Sequence, residues 1–425
     1  MPVITVPYGR RTLSVMIPAE YPLEIIEPVR APATADPQRA VKMALDNLLG
    51  NVSWSDLEGV RSVAIAINDK TRPVPHEHLL PPLLEKLEML GVAPQAITLV
   101  IATGTHLPMT GEEFSKIIPR ELVERYPVVC HDADDEDNLL PLGKTQRGTP
   151  ILVNRLYMAA DLRIVVGNIE PHQFQGFSGG VKSAAIGLAG RSTINYNHAM
   201  MVDPQARLGQ YDANPARQDV DEIGRFIGIQ LALNAVLNDQ KEIVHVLAGA
   251  PQAVMEAGIP FAREICQVVV PGRFDLVIAS PGGHPKDINI YQSQKGLAHA
   301  SLITRDGGAI ILVAACPEGS GSHGYEQWVQ HSQSHEEVLQ RFQHEEFRVG
   351  PHKAFQIARE MTRLQVYLVS DMPRKEARKL LLNPVSSLGE ALDQALQKLP
   401  ANGRIALMPY ANATIPVLAV SNSIS

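Results

Sequence analysis

Short apolar runs rich in β-branched residues recur along this chain, separated by longer stretches with helical periodicity, and that alternation restricts the fold more than any other feature. Residues 63–67, 97–101 and 162–166 are such runs, and residues 79–90 have the spacing of an amphipathic helix. Near-continuous apolar strands alternating with helices are the mark of a parallel sheet covered on both faces. A second series begins at residues 276–279, continues at 309–315 and reaches 366–370. At 425 residues the chain also exceeds what one hydrophobic core usually serves, since cores stop growing at about 250 to 300 residues. The expected fold class is therefore α/β, with two α/β domains built on mainly parallel sheets. The first covers residues 1–270 and the second 271–425, with a boundary near Pro271-Gly272-Arg273. Residues 4–6 and 13–17 flank Tyr8-Gly9-Arg10 as an opening hairpin of the first domain. The last ~20 residues include a strand-like stretch at 407–417, which either joins the second sheet or returns to the first domain.

Charge and cysteine usage narrow the partners. A net charge of -7, a pI near 6.1 and the lack of a local Lys/Arg cluster leave no footprint for nucleic acid or an anionic membrane. The longest apolar runs fall far short of the roughly 20 residues a spanning helix needs, and the first 18 residues carry no signal-peptide pattern. Cys130, Cys266 and Cys316 form neither a C-x-x-C half-site nor a disulfide framework. The expectation is a cytoplasmic protein with no nucleic-acid or membrane partner; its oligomeric state is not readable.

In open α/β sheets, ligands bind in the loops beyond the carboxyl ends of the strands. Here residues 63–67 run into Asn68-Asp69-Lys70-Thr71-Arg72-Pro73, and residues 97–101 into Ala102-Thr103-Gly104-Thr105-His106. Residues 162–166 run into Gly167-Asn168-Ile169-Glu170-Pro171-His172, then into Gly176-Phe177-Ser178-Gly179-Gly180-Val181-Lys182-Ser183. Residues 276–279 lead into Pro281-Gly282-Gly283-His284 and on toward Lys295. One site can collect them all.

Each motif also has a plainer reading. Clustered glycines let backbone N–H groups approach an anion at a helix start, here residues 183–188. A P-loop requires G-x-x-x-x-G-K-[ST], whereas Val181 separates Gly180 from Lys182. A tight turn with a solvated lysine would suffice for a lone glycine cluster, but His172 stands ten residues before Lys182 and His198 sixteen after it. Gly319-Ser320-Gly321-Ser322-His323-Gly324 matches G-x-G-x-x-G in form, yet Cys316-Pro317-Glu318 intervenes after the strand and no acid-ended strand follows at the required distance, so it reads as a loop. The run from His131 to Asp137 reads as a solvated acidic turn.

Among 14 histidines, His106, His172 and His198 stand beside glycine- or asparagine-rich loop sequence, where an imidazole serves as base, acid or metal ligand. No H-E-x-x-H or C-x-x-C spacing fixes a metal. Asp69 and Arg72 form either a loop-holding ion pair or a guanidinium presented to a carboxylate; Gln292 and Lys295 add an amide and a cation. Three rival classes stay open on the residues alone: a nucleotide-dependent enzyme with a degenerate phosphate loop, a non-enzymatic carboxylate sensor that has no need of Lys182, His106 or His172, and a conventional nicotinamide dehydrogenase, which would release a keto acid and change free NADH.

Taken as a set, Asp69-x-x-Arg72-Pro73, Gly104-Thr105-His106, Pro171-His172, Gly176 to Lys182, Asn197-His198 and Tyr291-Gln292-x-x-Lys295 resemble the LarA-type lactate racemase family in order and spacing over most of the chain. The resemblance implies an active-site cleft between the two domains and a nickel-pincer nucleotide, a pyridinium-3,5-bisthiocarboxylic acid mononucleotide binding nickel through carbon and sulfur. It implies that Lys182 carries this cofactor covalently as a thioamide, that His198 completes nickel coordination, and that the backbone of Ser178, Gly179 and Gly180 supports the phosphate. His106 and His172 are then the acid/base pair on opposite sides of a small 2-hydroxy acid, one taking the hydroxyl proton while hydride leaves C2, the other protonating the inverted product. Arg72, Gln292 and Lys295 hold the carboxylate, Asp69 orients Arg72, and Tyr291 lies close by. The implied activity is that of an isomerase, a racemase or epimerase, loaded by separate cofactor-biosynthesis enzymes. One departure bears on substrate. Members acting on lactate carry a tryptophan in the region corresponding to residues 352–356, where this chain has Ala354 and Phe355. A less filled pocket would admit a dicarboxylic, aromatic or sugar 2-hydroxy acid.

Overall fold

Each of the two units is built on a sheet that grows outward from a central strand to one edge and then continues on that strand's other side. The computed structural model describes residues 2–345, 347 and 351–419. They divide into one unit of Arg30–Ile265 and another of Met1–Val29 with Cys266–Ser425. In the first unit a six-stranded sheet has the order Ile243–Gly249, Leu231–Leu237, Leu162–Asn168, Val63–Asn68, Ile97–Ala102, Val128–Cys130. All neighbours are parallel except the Ile243–Gly249 edge. Residues 63–67 are buried on both sheet faces, which explains why they read as a continuous apolar run. Leu79, Leu83 and Leu87, spaced one helical turn apart on the helix His76–Met89, join the same core.

The chain starts this sheet at Val63–Asn68, builds to one edge through Ile97–Ala102 and Val128–Cys130, then returns to the other side with Leu162–Asn168. Strand order therefore switches between Val63–Asn68 and Leu162–Asn168, and ligand crevices form at such switch points.

The second unit repeats this plan with the order Pro384–Val385, Gln365–Val369, Thr304–Val313, Phe274–Ala279, Ile405–Met408, Leu23–Ile25, all parallel. Two of its elements come from the chain's beginning, so the expected domain limits need revision. The hairpin Val3–Tyr8 with Arg11–Met16, placed by sequence order in the first domain, packs with the second sheet. Ile4, Val6 and Tyr8 point inward onto Leu276, Ile278 and Ile311, while the alternate Val3 is exposed. Burying each large apolar side chain contributes about 1.5 to 3 kcal/mol, a gain independent of where the hairpin stands in the sequence. The stretch 407–417 is two strands: Ile405–Met408 enters the second sheet and Ile415–Leu418 pairs with Gln267–Val270. The chain's end, through residue 419, thus stays with the second unit. Among the described residues, no helix is long and apolar enough to cross a membrane.

Candidate functional site

The first unit gathers eight of the expected residues around one cavity at its switch point. Asp69 and Arg72 follow Val63–Asn68, His106 follows Ile97–Ala102, and His172, Ser178, Gly179 and Lys182 follow Leu162–Asn168. His198 arrives from the helix Arg191–Ala199. Gly180 lies in the same loop but does not line the cavity.

Asp69 is 2% exposed, and its carboxylate faces His106, whose Nδ1 is 2.8 Å from Oδ2. The hydroxyl of Thr71 donates to the other carboxylate oxygen at 2.8 Å. Burial pushes the Asp69 carboxyl up, but the bonds from His106 and Thr71 outweigh it and hold the group below the usual carboxylate range. This corrects the expected role of Asp69: it orients His106, whereas Arg72 donates to the carbonyl of Thr71 at 3.2 Å. At His172 the polarity is reversed, because Nδ1 accepts the backbone N–H of Gln175 at 3.2 Å. Phe174 stands edge-on between His172 and His198, its ring centre 4.8 Å from one and 4.9 Å from the other.

The glycine-rich loop is bound from within. Gly176 has φ +70°, and a Cβ there would meet the carbonyl oxygen of Gln210 at 1.8 Å, so only glycine fits. The N–H of Ser178 donates to the carbonyl of Glu170, and that of Gly180 to Oδ1 of Asn234, both at 2.7 Å. Arg217, 1% exposed, donates to the carbonyls of Phe177 and Gly179 at 3.1 and 3.2 Å. Of the expected phosphate cradle, the Ser178 and Gly180 amides are engaged by the protein itself, while Ser178 and Gly179 line the cavity. The expected helix at 183–188 is only the turn Lys182–Ala185. What this rigid loop presents is Lys182. Burial first, then the positive charges of Arg72 and Arg217, lower its amine to about 7. Burial, with Lys182 and Arg72 adding to it, pushes His198 down to about 3, so its ring is neutral at physiological pH.

These properties fit the cofactor that the resemblance implies. A thioamide link needs an amine that is a nucleophile near neutrality, and a metal ligand needs an unprotonated imidazole nitrogen. Among the described residues, no group of three or more His, Cys, Asp or Glu is placed to hold a metal ion. A metal that brings its own organic ligands needs little more from the protein than one imidazole.

In the second unit, Tyr291, Gln292 and Lys295 lie on the helix Ile290–Ser301. Asn289 caps it, accepting the N–H of Gln292 at 3.0 Å. The N–H groups of Ile290 and Tyr291 donate to the carbonyls of Gly319 and Ser320, each at 3.0 Å. The G-x-G-x-x-G look-alike is thus a loop whose carbonyls satisfy a helix start. Sequence reading missed Lys353, which is 3% exposed, donates to Gln294 Oε1 at 2.9 Å and lies 4.5 Å from the centre of the Tyr291 ring. It also missed Arg217 and Asp219, although Asn214-Pro215 and Gly228 mark the ends of their helix, Pro215–Ile227. In the acidic run, His131 is fully buried, and only residues 134–137 form the exposed turn.

Comparison with known proteins gives matches over most of the chain. The family profiles described as lactate racemase N-terminal domain and lactate racemase C-terminal domain match residues 8–209 and 269–415. The chain is 32% identical to the lactate racemase of Thermoanaerobacterium thermosaccharolyticum over 415 residues, covering 96% of this chain and 97% of that protein. It is 32% identical to the lactate racemase of Lactiplantibacillus plantarum over 407 residues, covering 94% and 95%. The structure of the lactate racemase apoprotein from T. thermosaccharolyticum superposes with a TM-score of 0.90 at 31% identity, covering 98% of this chain and 100% of that one. A Thermotoga maritima protein at 19% identity shares the fold, with a TM-score of 0.66 over 91% of this chain and 99% of that one.

Proposed function

Because the chain belongs to the lactate racemase family, a family of isomerases, we propose that it inverts C2 of a 2-hydroxy acid, with His106 and His172 as the acid/base pair and a nickel-pincer nucleotide held by Lys182 and His198. The observation that carries this reading is that two histidines lining one cavity hold opposite proton states. His106 gives its Nδ1–H to Asp69, which leaves an Nε2 lone pair to accept a hydroxyl proton. His172 receives an N–H on Nδ1, which in the neutral ring leaves its proton on Nε2. One ring presents a lone pair that can take the hydroxyl proton and the other an N–H that can hydrogen-bond the substrate oxygen, the two complementary roles that inversion through a planar 2-keto acid calls on.

Asp69 balances the positive charge His106 gains, and because it is buried its carboxylate interacts with less screening than it would in water. Arg72 in the first unit matches a carboxylate with its planar fork, and in the second unit Gln292 and Lys295 are an amide and a cation of the kind that binds one. When bound, the cofactor supplies a reversible acceptor for the hydride of C2. The rigid loop from Gly176 to Lys182 holds the lysine that anchors it. Separate biosynthetic enzymes load it in the cytoplasm, where the protein then acts.

The substrate in this reading is larger and more polar than lactate. Phe355 does not stand in for the missing tryptophan: its ring stacks on Phe342 at 4.7 Å. The residues of that segment beside Tyr291 are Lys353 and His352, the latter with its ring centre 6.0 Å away. A cation and an imidazole there favour a dicarboxylic or sugar acid over an aromatic one.

The test is intact mass with nickel content on protein coexpressed with the cofactor-biosynthesis enzymes, followed by a panel of lactate, malate, phenyllactate and gluconate. An adduct and nickel in the wild type, with both lost in Lys182→Ala, support the cofactor assignment. Their absence from a host that loads a known lactate racemase overturns it. Lactate as much the best substrate overturns the larger-substrate reading alone.

A further inference from the structure

The helix Pro215–Ile227 carries a buried carboxylate that the reaction itself does not use. Asp219 is 1% exposed and is held by neutral donors: Thr145 reaches Oδ1 at 2.6 Å, while Thr149 lies 3.0 Å from Oδ1 and 2.9 Å from Oδ2. The remaining donor to Oδ2 is Nδ2 of Asn197, at 2.9 Å. That nitrogen also donates to the carbonyl of Ala216 at 2.9 Å. The amide of Asn197 therefore has one possible orientation. Reversed, its oxygen would face a carboxylate and a carbonyl, three acceptors together with no proton among them, fully buried.

With Nδ2 turned to Asp219, the Asn197 oxygen points the other way and is an acceptor only. It takes Nε2–H of the fully buried Gln175 at 2.7 Å and stands 3.2 Å from Nδ1 of His198. A nitrogen facing a pure acceptor must bring the proton itself. We infer that Asp219, acting through Asn197, is a positioning residue that fixes the proton of His198 on Nδ1 and leaves the Nε2 lone pair as the ring's metal-binding atom. The consequence for nickel rests on the function proposed above; the assignment of the proton does not. Ligating histidines generally need their second nitrogen anchored in this way, because the anchor fixes tautomer and ring orientation before the metal arrives. Phe174, edge-on to the His198 ring at 4.9 Å, limits its rotation from the side.

The same unit contains its own control. His131 places Nε2 3.0 Å from the carbonyl of Ala189, and Nδ1 3.2 Å from Nδ2 of Asn154, so its proton belongs on Nε2. The test is two-bond proton–nitrogen correlation NMR on cofactor-free, full-length protein with labelled histidine. The expected result is a Nδ1–H signal for His198 beside a Nε2–H signal for His131. In Asn197→Ala the His198 proton should move mainly to Nε2, and in Asp219→Asn the single tautomer should become a mixture, with His131 unchanged as evidence that the fold is intact. In loaded protein, both variants should keep the Lys182 adduct yet lose nickel to a competing chelator at about 10- to 100-fold lower chelator concentration, a range typical of lost support around a ligand. A wild-type proton on Nε2, or a Nδ1 proton that persists in both variants, overturns the inference. A shifted tautomer with unaltered nickel retention overturns its consequence for the metal. If the tautomers behave as stated but loaded wild type holds no nickel, the positioning role stands and the cofactor reading is what fails.

Discussion

Two glycine-rich loops, Gly176 to Lys182 in the first unit and Gly319 to Gly324 in the second, look alike as sequence and do opposite work. The first is gripped from several sides, its amides by Asn234 and the Glu170 carbonyl and its carbonyls by Arg217, and it ends on a lysine in the cavity. The second offers its carbonyls to the first amides of the helix that carries Tyr291, Gln292 and Lys295. In both, the glycines serve the backbone itself. They permit positive φ and close backbone approach, and what the loop then serves depends on its neighbours.

The comparison breaks most readily at Lys182. Since its amine is lowered to about 7, the neutral nucleophile predominates just above neutrality. Its acylation rate in cofactor-free protein should level off by about pH 8, whereas an ordinary lysine keeps gaining until about pH 10. Peptide-resolved labelling against pH would measure this; a rate still climbing at pH 10 would mean that the first loop does not hold its lysine away from water.

Backbone substitutions should come next. Gly176→Ala sets a Cβ 1.8 Å from a carbonyl oxygen at φ +70°, and should cost more than about 4 kcal/mol in urea unfolding. Gly321→Ala is the nearest equivalent in the second loop, at φ +69° with a Cβ 2.3 Å from Cγ of the capping Asn289. The left-handed strain and the lost cap together predict about 3 kcal/mol. Because this helix carries Gln292 and Lys295, the amide and cation proposed to bind the substrate carboxylate, KM should rise more than kcat falls.

The smallest effect is expected at Gly319, where φ is +66° but nothing lies within 4 Å of an added Cβ. Gly319→Ala should cost about 1 to 2 kcal/mol from backbone strain alone. Equal losses at Gly176 and Gly319 would erase the difference between a loop gripped throughout and one fixed mainly at Gly321.

Much of this protein was legible in its residues. Continuous apolar runs such as 63–67 and 276–279 announced strands buried on both faces, and their following loops named His106, His172 and Lys182, because local pattern fixes local structure. Period and punctuation carry no information about partners distant in the chain. Only tertiary structure decided that the opening hairpin joins the second sheet, that Asp69 serves His106 rather than Arg72, and that the Ser178 and Gly180 amides face inward. It alone set Asp219 behind Asn197 and His198. Each of these is a choice among burial and hydrogen-bond partners that folding brings within a few ångströms, and a buried polar group is stable only with the partner it actually meets.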